Sequence, residues 1–269
     1  MISLTRRAAV LAVALAQAFA ATPASATESQ SYTAYFQGKY LTALKLAEQE
    51  AAQGSKEAFT LMGEIYAEGL GVAQDYKMAA DAYAKAADLG DANAQFSLGR
   101  MVADGLGVKK DLRTAANLFE QAAQSGNPAA QYNLAVIYVN GNGRTADDAK
   151  AAEWTGKAAD GGLPEAQVEY GVMLFKGEGV AVDEKKGAKL FRLAAEQGNA
   201  VAQNRLARLY ANGVVVEADP VEAAKWHLLA REAGVSDFSL DILLAKLTKE
   251  QRAKAEREAD DWREDRLGD

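Results

Sequence analysis

The chain has no cysteine, one histidine and four prolines in 269 residues. Without cysteine there is no disulfide in any compartment, no thiolate metal ligand and no acylated-cysteine lipoprotein anchor. With His227 as the only imidazole, a transition-metal site lacks ligands, so no metal or other cofactor is expected. Long apolar runs are missing too: the longest, Ala8 to Ala20, falls short of the about 20 apolar residues that span a bilayer. Membrane insertion is therefore not expected.

What is present is apolar and helix-forming. Hydrophobic residues make up 49% and charged residues 25%, a balance that folds rather than remaining disordered. At the front, Arg6 and Arg7 precede the apolar run, and Ala24-Ser25-Ala26 fits the small-x-small cleavage pattern, so residues 1–26 read as an export signal. Ala8-Ala9-Val10 lacks the bulky pair of a twin-arginine signal, which favours general secretion into a bacterial periplasm. Cleavage removes two arginines and no acid, taking the formal charge from -7 to -9. Such a chain repels phosphate backbones and anionic lipid, so nucleic acid is not an expected partner.

The dominant feature is a repeat. Gly63–Gly90 and Gly99–Gly126 share one pattern, and five copies align at a strict spacing of 36 residues. Ala58, Ala94, Ala130, Ala166 and Ala202 recur, followed at four and seven residues by further apolar positions, the spacing of a buried helix face. A small residue stands in mid-helix at 63, 99, 135, 171 and 207, where glycine costs about 1 kcal/mol relative to alanine and is useful only for close approach of a second helix. Gly69, Gly105, Gly141, Gly177 and Gly213 are placed as left-handed caps ending each first helix. Asp75, Asp111, Asp147, Asp183 and Asp219 stand as N-caps of each second helix, and Gly54, Gly90, Gly126, Gly162, Gly198 and Gly234 close the helices before them.

One helix pair cannot bury its own apolar face, so the copies must stack into a solenoid. The pattern LGxxYxxGxGVxxDxxxAxxxxxxAAxxG, repeated from about Ser55 to Gly234, resembles the Sel1-like repeat, a relative of the tetratricopeptide repeat. The resemblance implies an all-α, right-handed α-solenoid of helix-turn-helix repeats over 55–234. Residues 27–54 then form an N-terminal capping hairpin with Tyr35, Tyr40, Leu44 and Leu46 facing in. Residues 235–269 form capping helices: an apolar one from Phe238 to Leu247, then a charged one opened by a Thr248/Gln251 capping box, with Ala255, Ala259 and Trp262 on one side. The ending also resembles that of exported bacterial members. Val215 departs from the pattern, replacing the second loop glycine.

Candidate chemistry thins out on inspection. His227 falls in register with Tyr83, Phe119, Thr155 and Phe191, a packing position in the second helix. The Gly-x-Gly loops follow no strand and precede no Gly-Lys-Ser/Thr, so they are turns and not phosphate cradles. No serine has a lysine three residues on, so the Ser-x-x-Lys nucleophile of penicillin-recognising proteins is absent. Paired carboxylates such as Asp147-Asp148 and Asp260-Asp261 keep one enzymatic alternative, an envelope hydrolase acting on peptidoglycan or a glycan.

The favoured reading is a non-enzymatic adaptor whose partner is another envelope protein. By analogy with tetratricopeptide arrays, the concave face carries the first-helix positions that do not point inward. In the central copies these offer Phe96, Tyr132, Val136, Val168 and Val172, with Arg100 and Arg208 at the rim. An apolar centre with a charged rim is how a peptide or helix groove is built. Two readings of the strip stand: an open groove, or packing between neighbouring first helices.

Overall fold

The computed structural model describes residues 29–267, so the export-signal reading of 1–26 lies outside the described residues. These residues form fourteen helices and no strand. A hairpin of α1 (Gln30–Phe36) and α2 (Tyr40–Ala51) opens the array. Five pairs follow: α3 (Lys56–Glu68) with α4 (Tyr76–Asp88), α5 (Ala92–Asp104) with α6 (Leu112–Gln124), α7 (Pro128–Asn140) with α8 (Asp148–Asp160), α9 (Pro164–Lys176) with α10 (Glu184–Glu196), and α11 (Ala200–Asn212) with α12 (Pro220–Glu232). The chain closes with α13 (Phe238–Lys246) and α14 (Lys249–Leu267). From α1 to α13 each helix packs on its neighbours in sequence, the arrangement of an α-solenoid, and α14 packs back on α12.

The helix ends are where the repeat pattern puts them. Gly69, Gly105, Gly141, Gly177 and Gly213 are left-handed C-caps, and the five aspartates at 75, 111, 147, 183 and 219 each accept first-turn backbone N–H groups. A second series, unread in the sequence, caps the first helices: Ser55, Asp91, Asn127 and Asn199 accept in the same way, while Leu163 makes no such bond. At the far end, Thr248 and Gln251 form the reciprocal capping box, with N–H to side-chain distances of 3.0 and 3.2 Å.

Packing within a pair is small against large. A Cβ on Gly63, Gly99 or Gly171 would lie within 3.0 Å of the ring of Tyr83, Phe119 or Phe191 respectively, so the aromatic of the second helix occupies the space the glycine leaves. Where alanine replaces glycine, at 135 and 207, the facing register holds Thr155 and His227. The inward alanines from Ala58 to Ala202 are fully buried, as are Leu61, Leu134 and Leu206. Each such leucine stabilises by about 1.5–3 kcal/mol.

The caps differ in detail from their sequence reading. Leu44 is buried, Tyr35 and Leu46 pack beside it, and Tyr40 meets Tyr35 edge-on at 5.5 Å. Phe238, read as part of an apolar packing helix, stands 79% exposed, because capping by Asp237 sets the phase of α13 so that Leu240 and Leu244 face in. Ala255 and Ala259 are buried, and Trp262 meets Trp226 edge-on at 6.0 Å.

Contact between repeats depends on the second loop glycine. A Cβ on Gly107 would sit 2.2 Å from the Tyr76 carbonyl oxygen, one on Gly143 2.3 Å from that of Leu112, and one on Gly179 2.1 Å from that of Asp148. Each loop thus lies directly on the first turn of the preceding second helix. Val215 holds the corresponding place in the last repeat at φ 65°, the one non-glycine residue with positive φ among the described residues. A side chain held there costs about 1–2 kcal/mol.

In denaturant unfolding, Gly107→Ala should cost about 3 kcal/mol through backbone overlap, whereas Gly90→Ala, with positive φ but open space around it, should cost about 1 kcal/mol. Val215→Gly should raise stability by about 1 kcal/mol in the same assay.

Candidate interaction site

The strip expected on the concave face is built by consecutive first helices, and its members lean forward onto the next repeat. Phe96 on α5 is half-buried, its ring 5.8 Å from that of Phe119 on α6, and it also packs against the buried clusters that hold Leu134 and Ile137 of the following repeat. Tyr132 on α7 packs against the buried cluster that holds Ala158, Ala159, Ala166, Leu174 and Leu190. Burial pushes its phenol pKa upward, and Glu169 and Glu165 add to the shift. Val168 and Val172 on α9 pack toward Leu206 and Trp226, and Val136 is half-buried. The strip is therefore seated on the seam between repeats and keeps only part of each side chain at the surface.

Its two ends are closed by the caps. At the front, the Tyr35 hydroxyl of α1 donates to Glu64 Oε1 at 2.6 Å, and Thr60 is buried. At the rear, Arg208 Nε and Asn204 Nδ2 both donate to the nearly buried carboxylate of Asp237, which caps α13. Arg208, read from the sequence as a rim cation, is thereby committed to a contact within the fold. Arg100 is exposed and lies over the Phe96 ring, 6.0 Å from its centroid. The stretch between these two polar contacts runs through Phe96, Arg100, Tyr132, Val136, Val168 and Val172.

A set of polar residues with a structural role went unassigned in the sequence. Gln95, Gln131, Gln167 and Gln203 are buried, and the amide of each donates to a carbonyl near the end of the preceding second helix: Ala87, Ala123, Ala159 and Ala195, at 3.1–3.4 Å. They satisfy helix-terminal carbonyls that stacking takes from water. The signal was their recurrence beside the invariably buried alanine. Periodicity names such a position, but not its partner.

The residues considered for chemistry have structural partners. His227 is fully buried, with Nε2 2.8 Å from Asp241 Oδ1, an oxygen that Arg231 also approaches at 3.6 Å. Asp147 caps α8, and Asp260 pairs with Arg263 at 2.8 Å. No cluster of histidine and carboxylate side chains able to hold a metal occurs among the described residues. No described helix is long and apolar enough to cross a membrane.

A sequence model described as the Sel1 repeat matches residues 57–91, 92–127, 128–163, 164–199 and 200–235. The crystal structure of a Sel1 repeat protein from Oxalobacter formigenes is similar over 86% of this chain and 98% of that one, with 29% identity and a TM-score of 0.72. That of a protective antigen present in uropathogenic Escherichia coli strains, displaying an SLR fold, is similar over 85% of this chain with 28% identity and a TM-score of 0.73. This chain spans 54% of the antigen's length. No curated protein matches the sequence.

The Asp237 site has a testable pH signature. Burial alone would raise its carboxyl pKa, but hydrogen bonds from Arg208, Asn204 and the Leu240 N–H outweigh burial and hold it below the usual carboxylate value. A depressed folded-state pKa contributes stability above the unfolded value of about 3.9, and that stability is lost as pH falls through the folded one. Arg208→Ala should lower stability near neutrality by about 1–2 kcal/mol and flatten the acid limb of a stability-against-pH curve.

Proposed function

The chain belongs to the Sel1 repeat family, and from that premise we propose that it is a periplasmic adaptor binding a segment of another envelope protein on the central part of its concave face. Sel1 repeat proteins are in general non-catalytic scaffolds for protein–protein interaction. The observation that carries the assignment is the closure of the strip at both ends: Tyr35 covers Glu64, and Asp237 takes Arg208 and Asn204. This leaves three central repeats presenting an apolar seam.

The geometry suits a segment that lies across the seam. Phe96 and Tyr132 are already held by packing, so binding orders few new rotamers, which lowers the entropic cost of association. The apolar side chains at the centre favour apolar side chains of the partner, and Arg100 beside Phe96 favours an acid next to them. Placement in the periplasm rests on the charged, apolar and small-residue pattern of residues 1–26. The role follows: regulation of an envelope signalling or cell-wall or polysaccharide process by holding a partner segment.

Arg100→Glu should weaken partner binding about tenfold with helix content unchanged, because an exposed rim charge affects association and not the core. The pair Phe96→Ala, Tyr132→Ala should abolish binding while circular dichroism still reports a helical array. Full binding by the double variant would refute the groove.

A further inference from the structure

The exposed apolar surface of this protein is concentrated away from the concave strip. Eight of the fifteen exposed large hydrophobic residues among the described residues lie on the interhelical loops and the first turns of the second helices. Because Gly71 approaches Tyr40 and Leu41, Gly107 approaches Tyr76, and Gly143 approaches Leu112, these loops and turns form one continuous ledge.

Along this ledge the charge reverses. Residues 105–114 carry a net +2, from Lys109, Lys110 and Arg113 against Asp111, and Asp111 itself is turned onto the N–H groups of its own helix. The corresponding residues 69–78 and 141–150 are neutral, 177–186 carry -1, and 213–222 carry -3 from Glu217, Asp219 and Glu222, with Asp183 and Asp219 turned onto the N–H groups of their own helices as Asp111 is. The exposed apolar side chains occur on both halves: Tyr76, Leu106 and Leu112 in front, Val182 and Val214 behind. A recess of about 680 Å³ opens on the basic half, lined by Lys109, Lys110, Leu112, Arg113 and Gly143.

We propose that this ledge is a self-association surface, on which the basic half of one copy lies against the acidic half of a second copy. A twofold axis through the neutral third loop sets repeat 2 against repeat 4 and repeat 1 against repeat 5. Both halves of the contact are then formed at once, as a closed isologous dimer requires. Leu106 and Leu112 meet Val182, Tyr76 meets Val214, and Lys109 and Lys110 meet Glu178 and Glu184. Parallel stacking of the ledges would set like charge on like charge, so the charge reversal also selects the orientation. The concave strip lies on a different face, so dimerisation is independent of the partner reading.

Charge reversal with rescue in trans tests this directly. Sedimentation equilibrium of the purified protein should show a monomer–dimer equilibrium that weakens with salt. The variant Lys109→Glu, Lys110→Glu sets acid against acid at both contacts, and Glu178→Lys, Glu184→Lys sets base against base. Each alone should raise the dimer dissociation constant at least about tenfold. An equimolar mixture of the two restores attraction at both contacts, and a heterodimer of near wild-type affinity should form. Unchanged helical circular dichroism in both variants confirms that folding is not the cause. A wild-type monomer at all concentrations, a dimer indifferent to both variants, or no rescue on mixing would overturn the proposal. So would a monomer that binds phosphatidylglycerol-containing vesicles through Lys109 and Lys110, which would assign the ledge to lipid.

Discussion

The array depends on a contact that leaves no room for a side chain. At three successive loops, a backbone carbonyl of one repeat lies 2.1–2.3 Å from where the Cβ of the next repeat's glycine would begin. That approach sets the spacing between repeats, and the rest follows from it. With neighbours this close, the carbonyls at the end of each second helix lose water, and Gln95, Gln131, Gln167 and Gln203 replace it. The half-buried side chains of the strip can then reach the following repeat, so Phe96, Tyr132, Val168 and Val172 contribute to stacking and surface together.

A stacked array exposes unfinished faces at its ends, and the caps here do more than cover them. The front hairpin reaches the concave face through Tyr35, and the rear helix reaches it through Asp237. Both contacts are charge-assisted hydrogen bonds to positions that in the central repeats carry valine or arginine. The caps therefore bound the strip as well as protecting the core. The last repeat tolerates more deviation, holding Val215 in a conformation the other loops give to glycine.

Most of the architecture was legible in the sequence because its determinants are local. A left-handed cap needs glycine, a free helix N-terminus favours aspartate, and a capping box needs Thr248 three residues before Gln251, so these positions declare themselves. The concave strip was legible as a set of residues but not as a surface. A helical period separates inward from outward positions, yet it does not separate an open face from a seam shared with the next helix. Arg208 shows the same limit: an exposed cation looks alike in sequence whether it awaits a partner or already holds Asp237. Phe238 reads as core by composition, and only the phase set by Asp237 turns it outward.

The central claim is that the uncapped middle of the concave face is where a partner lies. The most direct measurement places a photo-crosslinking residue at Val136 in living cells and compares it with the same residue at Lys85 on the second-helix face. The account predicts one dominant envelope protein captured from position 136 and lost at position 85. Equal or diffuse capture from both positions, or a dominant partner from position 85 alone, would contradict it.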